Sequence, residues 1–256
     1  MKVVNLFAGH GTWTKPFRER GHDVWATDIV DRPGIDHVAD ILDLKPWDIP
    51  DEFWAPDVLL ASPDCQAFSV ASIGTHWGGG PRGYEPKTEK AINRMKLVLK
   101  TREIIEWIGP EYFVIENPRG MLRKLGLLDH YTTFGPFDTD VVVPIERRTV
   151  WYCQYGDERA KPTDLWGGFP PSLVLRPECK NGNPDHTAAP RGAKTGTQGR
   201  EKDARSFIPY ELALDVCLAV EKDIEESSVD GYAAFFHYLG HVKGPDGRCV
   251  KCARTA

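Results

Sequence analysis

Short apolar runs that close on glycine, aspartate or proline alternate along this chain with stretches of helical periodicity. Lys2-Val3-Val4-Asn5-Leu6-Phe7 predicts a buried strand, and Ala8-Gly9-His10-Gly11 predicts a tight turn into a helix over Thr12–Arg20. Asp23-Val24-Trp25-Ala26-Thr27 predicts a second strand ending at Asp28, Val58-Leu59-Leu60-Ala61 a third, and Tyr112-Phe113-Val114-Ile115 a fourth that ends in Glu116-Asn117-Pro118. Between the last two, Ile92, Met95, Val98, Leu99, Ile104 and Ile105 recur near helical spacing, predicting an amphipathic helix over Thr88–Trp107 whose stripe joins the core. Strands alternating with helices predict an α/β fold built on a doubly wound sheet.

The pattern weakens in three places. From Val70 to Gly83 the chain is glycine-rich and polar, which predicts a mobile loop without a core residue, carrying Arg82 toward phosphates together with Lys87. After Gly156 the composition shifts to proline, glycine and basic residues, with one apolar run at Pro171-Ser172-Leu173-Val174-Leu175. The expected organisation is a core over 1–156, a small irregular recognition region over 157–206, a helix returning to the core over 207–226, and a tail over 227–256. Arg176, Lys180, Arg191, Lys194, Arg200, Lys202 and Arg205 give the recognition region a basic excess suited to phosphates, and Asn183 and Gln198 suit base edges. Solvated charges on a weakly folded insertion would give the same composition.

Composition narrows the class. The 256 residues, 41% of them hydrophobic, suffice for one substantial domain with a small appendage, and six scattered cysteines fit reduced thiols better than a disulfide framework. No signal peptide or membrane span is recognisable, so a cytoplasmic protein is expected; separately, a monomer is expected. The formal charge of -5 means that binding to a polyanion must rely on local basic surface.

Candidate chemistry gathers at the predicted strand ends, where open α/β sheets place their sites. Cys65, in Ser62-Pro63-Asp64-Cys65-Gln66-Ala67-Phe68-Ser69, is either a nucleophile able to attack an electron-poor ring carbon or a small buried hydrophobe. Glu116 and Asn117 put a carboxyl group and an amide at another strand end, where the carboxyl could serve a ring nitrogen or simply brace a turn. The glycine turn lacks the third glycine of a dinucleotide fingerprint, because Thr14 occupies that place; another adenosine-bearing ligand fits better. Asp28, about 20 residues after the turn, suits a ribose hydroxyl pair. Asp40 could reach an adenine amine or be solvated.

In order and spacing, Asn5-Leu6-Phe7-Ala8-Gly9-His10-Gly11, Asp28, Pro63-Asp64-Cys65-Gln66-Ala67-Phe68-Ser69 and Glu116-Asn117-Pro118 resemble the cytosine-5 DNA methyltransferase family. Ile208-Pro209-Tyr210-Glu211-Leu212 resembles the family motif that folds back onto the cofactor domain. Gln154-Tyr155-Gly156-Asp157, Lys161 to Trp166, Ala189-Pro190-Arg191-Gly192 and Gly196-Thr197-Gln198-Gly199 look like compact phage-type members. The resemblance implies a Rossmann-like S-adenosylmethionine-dependent methyltransferase acting on double-stranded DNA, with methyl transfer to carbon 5 of a cytosine rotated out of the duplex. It implies that Cys65 attacks carbon 6, that Glu116 bonds the ring nitrogen and exocyclic amine, and that Asn117 and Pro118 shape the pocket. Phe7, Ala8, Gly9 and Gly11 would surround the methionine part, Asp28 the ribose and Asp40 the adenine, with Asp64 also on the cofactor side. Glu146-Arg147-Arg148 matches the arginine motif, with Arg147 the catalytic candidate and Thr149 at the second arginine position.

Asp64 stands where the family usually has proline, and its charge is expected to raise the thiol pKa unless an arginine or loop amides offset it. The acidic chain and short recognition region also suit a free nucleotide or RNA acceptor, and a silenced DNA-binding homologue would keep the motifs without turnover. In the tail, His237, His241, Cys249 and Cys252 offer four ligands for a structural zinc, and Cys179 with His186 form a looser pair.

Overall fold

The computed structural model describes residues 1–80, 83–134, 139–180, 186 and 206–229. In chain order the elements are β1 (Lys2–Leu6), α1 (Lys15–Glu19), β2 (Asp23–Asp28), β3 (His37–Val38), β4 (Val58–Ala61), α2 (Ile73–His76), β5 (Trp77–Gly78), β6 (Glu85–Pro86), α3 (Glu89–Ile108), β7 (Tyr112–Pro118), β8 (His130–Phe134), β9 (Asp140–Pro144), β10 (Glu146–Trp151), β11 (Pro162–Gly168) and α4 (Tyr210–Val229). Short 3-10 turns join several of them.

One seven-stranded sheet runs β10-β11-β7-β4-β1-β2-β3. β7, β4, β1, β2 and β3 are parallel neighbours, whereas β11 lies antiparallel between β7 and β10. From β1 the chain winds one way to β2 and β3, then returns to β4 on the other side. The carboxyl ends of β1 and β4 therefore flank a switch point, the place where such sheets leave a crevice.

Each central strand is apolar on both faces, as a parallel sheet covered twice requires. Val4, Leu6, Trp25, Leu59, Ala61, Phe113 and Ile115 face Ala91, Val98, Ile104, Ile105 and Ile108 of α3. Their alternates Val3, Val24, Ala26, Val58, Leu60, Val114 and Leu165 face Phe17 of α1 and Leu212, Ala213, Val216 and Val220 of α4. α3 begins where the Thr88 hydroxyl accepts the Ala91 amide and stops at Gly109, in the left-handed region at φ 51.

Three expectations need correcting. Ile92 and Leu99, read as core, are 41% and 38% exposed, because the buried stripe of α3 runs through Ala91, Val98, Thr101, Ile104, Ile105 and Ile108. The glycine-rich stretch contains a core residue after all. Trp77 is buried, stacks on Phe68 with ring centres 6.0 Å apart, and donates its indole N–H to the Ala67 carbonyl at 2.7 Å. Finally, Pro162–Gly168 belongs to the central sheet as β11, so the core sheet continues past Gly156. Gly167 permits this: a Cβ there would meet the Phe113 carbonyl oxygen at 2.1 Å.

Candidate active site

Register brings the two predicted chemical groups to one end of the sheet. Ala61, the last residue of β4, pairs with Ile115 of β7, so Glu116 lies one residue beyond and the Pro63-Asp64-Cys65 turn starts beside it. Asn117, fully buried, donates its side-chain amide to the Pro63 carbonyl at 2.9 Å and ties the two strand ends together. The Cys65 carbonyl accepts the amides of Phe68 and Ser69 at 2.9 and 3.2 Å, which fixes the turn that carries the thiol.

A second tie follows. The Met121 amide donates to the Phe68 carbonyl at 2.7 Å, and a Cβ on the neighbouring Gly120 would sit 2.1 Å from that same oxygen. Backbone against backbone cannot relax by a side-chain rotation. Gly120→Ala is expected to destabilise the fold by about 1–3 kcal/mol, measured by urea unfolding. An unchanged midpoint would show that the two segments do not pack this closely.

Cys65 is half-buried, and its thiol pKa is pushed up to about 11. Burial is the largest cause, the Glu116 carboxylate adds to it, Lys161 opposes it, and Asp64 contributes less than either. The small effect of Asp64 has a visible reason. Its Oδ2 takes Arg94 Nη2 at 2.6 Å and its Oδ1 takes the Gln66 amide at 2.8 Å, so an arginine and a loop amide do offset its charge.

Glu116 is 5% exposed. Its Oε1 accepts the Tyr152 hydroxyl at 2.7 Å and lies 3.5 Å from Lys161 Nζ. Both of these partners use Oε1. Full burial and the adjacent carboxylate hold the Tyr152 phenol well above its ordinary pKa, so it stays a neutral donor. Lys161 adopts φ 25, a left-handed conformation disfavoured for a side chain bearing a Cβ, and its ammonium lies 4.2 Å from the Tyr152 ring centre. Neither Tyr152 nor Lys161 was singled out from sequence. The sheet order that puts β11 next to β7 supplies Lys161, and no local pattern encodes it.

The arginines divide differently from the motif. Arg147, on edge strand β10, is exposed, pairs in register with Trp166 rather than with the strand-end level of Asn117, and reaches the Arg123 carbonyl at 3.5 Å. Arg148 is held by Glu146 and the Leu173 carbonyl, 4.5 Å from the Phe169 ring centre. At the Asn117 level stand Asp164 and Thr149. The fully buried Asp164 carboxylate accepts both Arg123 Nε, at 2.8 Å, and Arg123 Nη2, and the Thr149 hydroxyl at 2.8 Å. Arg123 thus supplies a guanidinium next to the position where the family's second arginine is replaced by threonine.

At the other side of the switch point, Phe7, Asp28, Asp40 and Asp64 line one cavity of about 290 Å³ with Thr27, Ile29, Ile41, Leu42, Asn93, Arg94 and Leu97. Ala8, Gly9 and Gly11 form the adjoining turn rather than the cavity wall. Gly9, at φ 55, donates its amide to Asp28 Oδ2 at 2.9 Å, and Val30 donates to Oδ1 at 2.9 Å. Arg32 Nη1 lies 3.5 Å from Oδ1 as well; a carboxylate offers about four acceptor positions, so Asp28 retains capacity for a ribose hydroxyl. Asp40 Oδ1 caps the Leu42 amide at 2.9 Å. Asn93, Arg94 and Leu97 were missed because α3 crosses the crevice by tertiary packing alone.

Arg176, counted from sequence among phosphate-facing cations, is instead engaged by Glu211 and by Asp215 at 3.2 Å. His237, His241, Cys249 and Cys252 lie outside the described residues, as do Arg82, Asn183, Arg191, Lys194, Gln198, Arg200, Lys202 and Arg205. No helix among the described residues is long and apolar enough to cross a membrane.

A protein of Frog virus 3 (isolate Goorha), described as "Probable DNA (cytosine-5)-methyltransferase", is 27% identical over 237 residues, 85% of this chain and 100% of the relative. "Type II methyltransferase M.DdeI" of Desulfomicrobium norvegicum is 25% identical over 210 residues, 70% of this chain but 46% of its own length. Among solved structures, the methyltransferase EhMeth of Entamoeba histolytica covers 70% of this chain and 57% of its own (15% identity, TM-score 0.45), and the Dnmt2 methyltransferase of S. pombe covers 65% and 48% (15% identity, TM-score 0.41). The family model "C-5 cytosine-specific DNA methylase" matches residues 1–131, which include both the Cys65 turn and the Glu116 strand end. On that match, over half of its length, the chain belongs to the C-5 cytosine-specific DNA methylase family.

Proposed function

We propose that the protein transfers the methyl group of S-adenosylmethionine to carbon 5 of cytosine in DNA, through a transient bond between Cys65 Sγ and ring carbon 6. The observation that carries this reading is the Asn117–Pro63 tie, which holds the thiol-bearing turn of β4 against the carboxyl-bearing end of β7. The cavity of Phe7, Asp28, Asp40, Ile29 and Ile41 fits the donor, with apolar walls for a purine and carboxylates for ribose and exocyclic amine. When bound, S-adenosylmethionine supplies an electrophilic methyl group.

The chain's residues divide the remaining work. Glu116, steadied at Oε1 by Tyr152, turns Oε2 to the ring nitrogen and needs a proton there to make the ring electron-poor. Cys65 needs to lose one. Moving a proton from thiol to carboxyl satisfies both at once, because a protonated Glu116 no longer repels the thiolate. Attack at carbon 6 makes carbon 5 nucleophilic; after methylation, water takes the carbon 5 proton, the thiolate is expelled, and the ring nitrogen returns its proton to Glu116, which restores the ring. A cytosine inside the stack cannot reach a thiol set in a turn of this kind, so the base is rotated out.

The test is a duplex carrying 5-fluorocytosine, incubated with S-adenosylmethionine and followed by denaturing gel and mass spectrometry. Fluorine cannot leave as a cation, so a covalent complex should accumulate. An adduct formed only with RNA, or only with a free nucleotide, would move the acceptor; cofactor binding with no adduct at all would leave a silenced DNA-binding homologue. On the cofactor side, Asp28→Asn removes the charge facing the ribose and is expected to weaken S-adenosylmethionine binding about ten- to hundredfold by calorimetry. Unchanged affinity would place the ribose elsewhere.

A further inference from the structure

Cys153 and the Cys179–His186 pair come from two separate stretches, yet the three ligand atoms all lie within 4.8 Å of one another. We propose that they bind one zinc ion, which fastens the start of the basic segment to the catalytic core.

The geometry suits the metal. Cys179 Sγ is 3.4 Å from His186 Nδ1, and in tetrahedral zinc coordination, with Zn–S near 2.3 Å and Zn–N near 2.0–2.1 Å, a sulfur and a nitrogen ligand stand about 3.6 Å apart. Two thiols and an imidazole are the soft and borderline donors that select zinc over magnesium or calcium. Three protein ligands leave the fourth position for water or a further side chain.

The backbone is organised to deliver these residues. Cys153, buried, sits in the 3-10 turn Tyr152–Tyr155 that directly follows β10. Arg176 folds the later strand of chain over that turn: its amide donates to the Tyr155 hydroxyl at 2.9 Å, its Nη1 to the Gln154 carbonyl at 2.8 Å, and its guanidinium carbon lies 4.7 Å from the Tyr155 ring centre. Three residues on, Cys179 arrives beside Cys153. These contacts would exist with no ion present, so the convergence of the sulfurs is imposed by the fold and not by chance collapse of an isolated Cys-x6-His stretch. The other comparable cluster among the described residues, His22, Cys217 and Glu221, is different. There the Glu221 carboxylate is already taken by Arg20 and His22, and a cation fills the place an ion would need.

The full chain, purified under reducing conditions without chelator, should hold zinc, and cobalt substitution should give the intense visible bands of a tetrahedral ion with thiolate charge transfer. Cys179→Ser and His186→Ala, both on partly exposed positions, should each weaken metal retention against a competing chelator by at least about tenfold, and circular dichroism would verify that they fold. Cys249→Ser/Cys252→Ser should leave this metal in place. Zinc lost from the tail variant but kept by Cys179→Ser and His186→Ala would overturn the assignment. So would a folded, reduced protein that gives neither bound zinc nor a cobalt–thiolate spectrum, or one whose Cys153 and Cys179 are recovered as a disulfide.

Discussion

Cys65→Ala should form no adduct with the 5-fluorocytosine duplex and should lose methyl transfer by at least about 10⁴-fold, while binding S-adenosylmethionine within about twofold of the unsubstituted protein. The separation follows from position: the thiol stands on the β4 turn toward Glu116, whereas the donor cavity is lined from that turn by Asp64. Mass spectrometry of the trapped complex and calorimetry on the same preparation read the two quantities. Persisting transfer would remove covalent catalysis from the proposal, and lost donor binding would mean that the alanine had disturbed the turn rather than the chemistry. The pH dependence has a defined sign. With a thiol pKa near 11, only about one molecule in a thousand is thiolate at pH 8, so alkylation of Cys65 in the free protein should speed up about tenfold per pH unit until that pKa is reached.

Glu116→Gln should move two readouts in opposite directions. Methyl transfer should fall about 10²–10⁴-fold, because the amide cannot deliver a proton to the ring nitrogen. Alkylation of Cys65 at pH 8 should rise, by at least about threefold, because the substitution removes the charge that, after burial, does most to hold the thiol protonated. A thiol that reacted no faster would instead mean that the Glu116 charge does not bear on Cys65. Transfer that survived Glu116→Gln would equally sink the acid role.

The strand ends were readable because each is written locally: an apolar run of four to six residues, then a cysteine, a carboxylate or a glycine turn. Asp28, Cys65 and Glu116 are of this kind, and the helix at Glu89–Ile108 was legible from its spacing. What escaped notice depends on which strands become neighbours. Lys161 reaches Glu116 only because β11 enters the sheet antiparallel beside β7, and Arg94 reaches Asp64 only because α3 crosses the crevice. The position of Ile92 and Leu99 was misjudged for a related reason: an apolar residue at helical spacing joins the stripe only if the sheet lies on that side. Trp77 shows the converse, a single aromatic in a polar stretch that joins the core with its indole hydrogen-bonded and its ring stacked on Phe68.

The two-sided sheet also sets a timetable for biosynthesis. Its first strand is central, but the helix that covers Val3, Val58, Leu60 and Val114 on one side begins at Tyr210. At about 5–20 residues per second, a ribosome needs on the order of 10–40 s to travel from β1 to α4. Through the last part of that interval, once β11 has been made, the nascent chain holds a finished sheet whose α4 side still lacks Leu212, Ala213, Val216 and Val220. The window is long enough for chaperone capture or for sticking to a neighbour on the same polysome, and it closes only when the last described helix emerges.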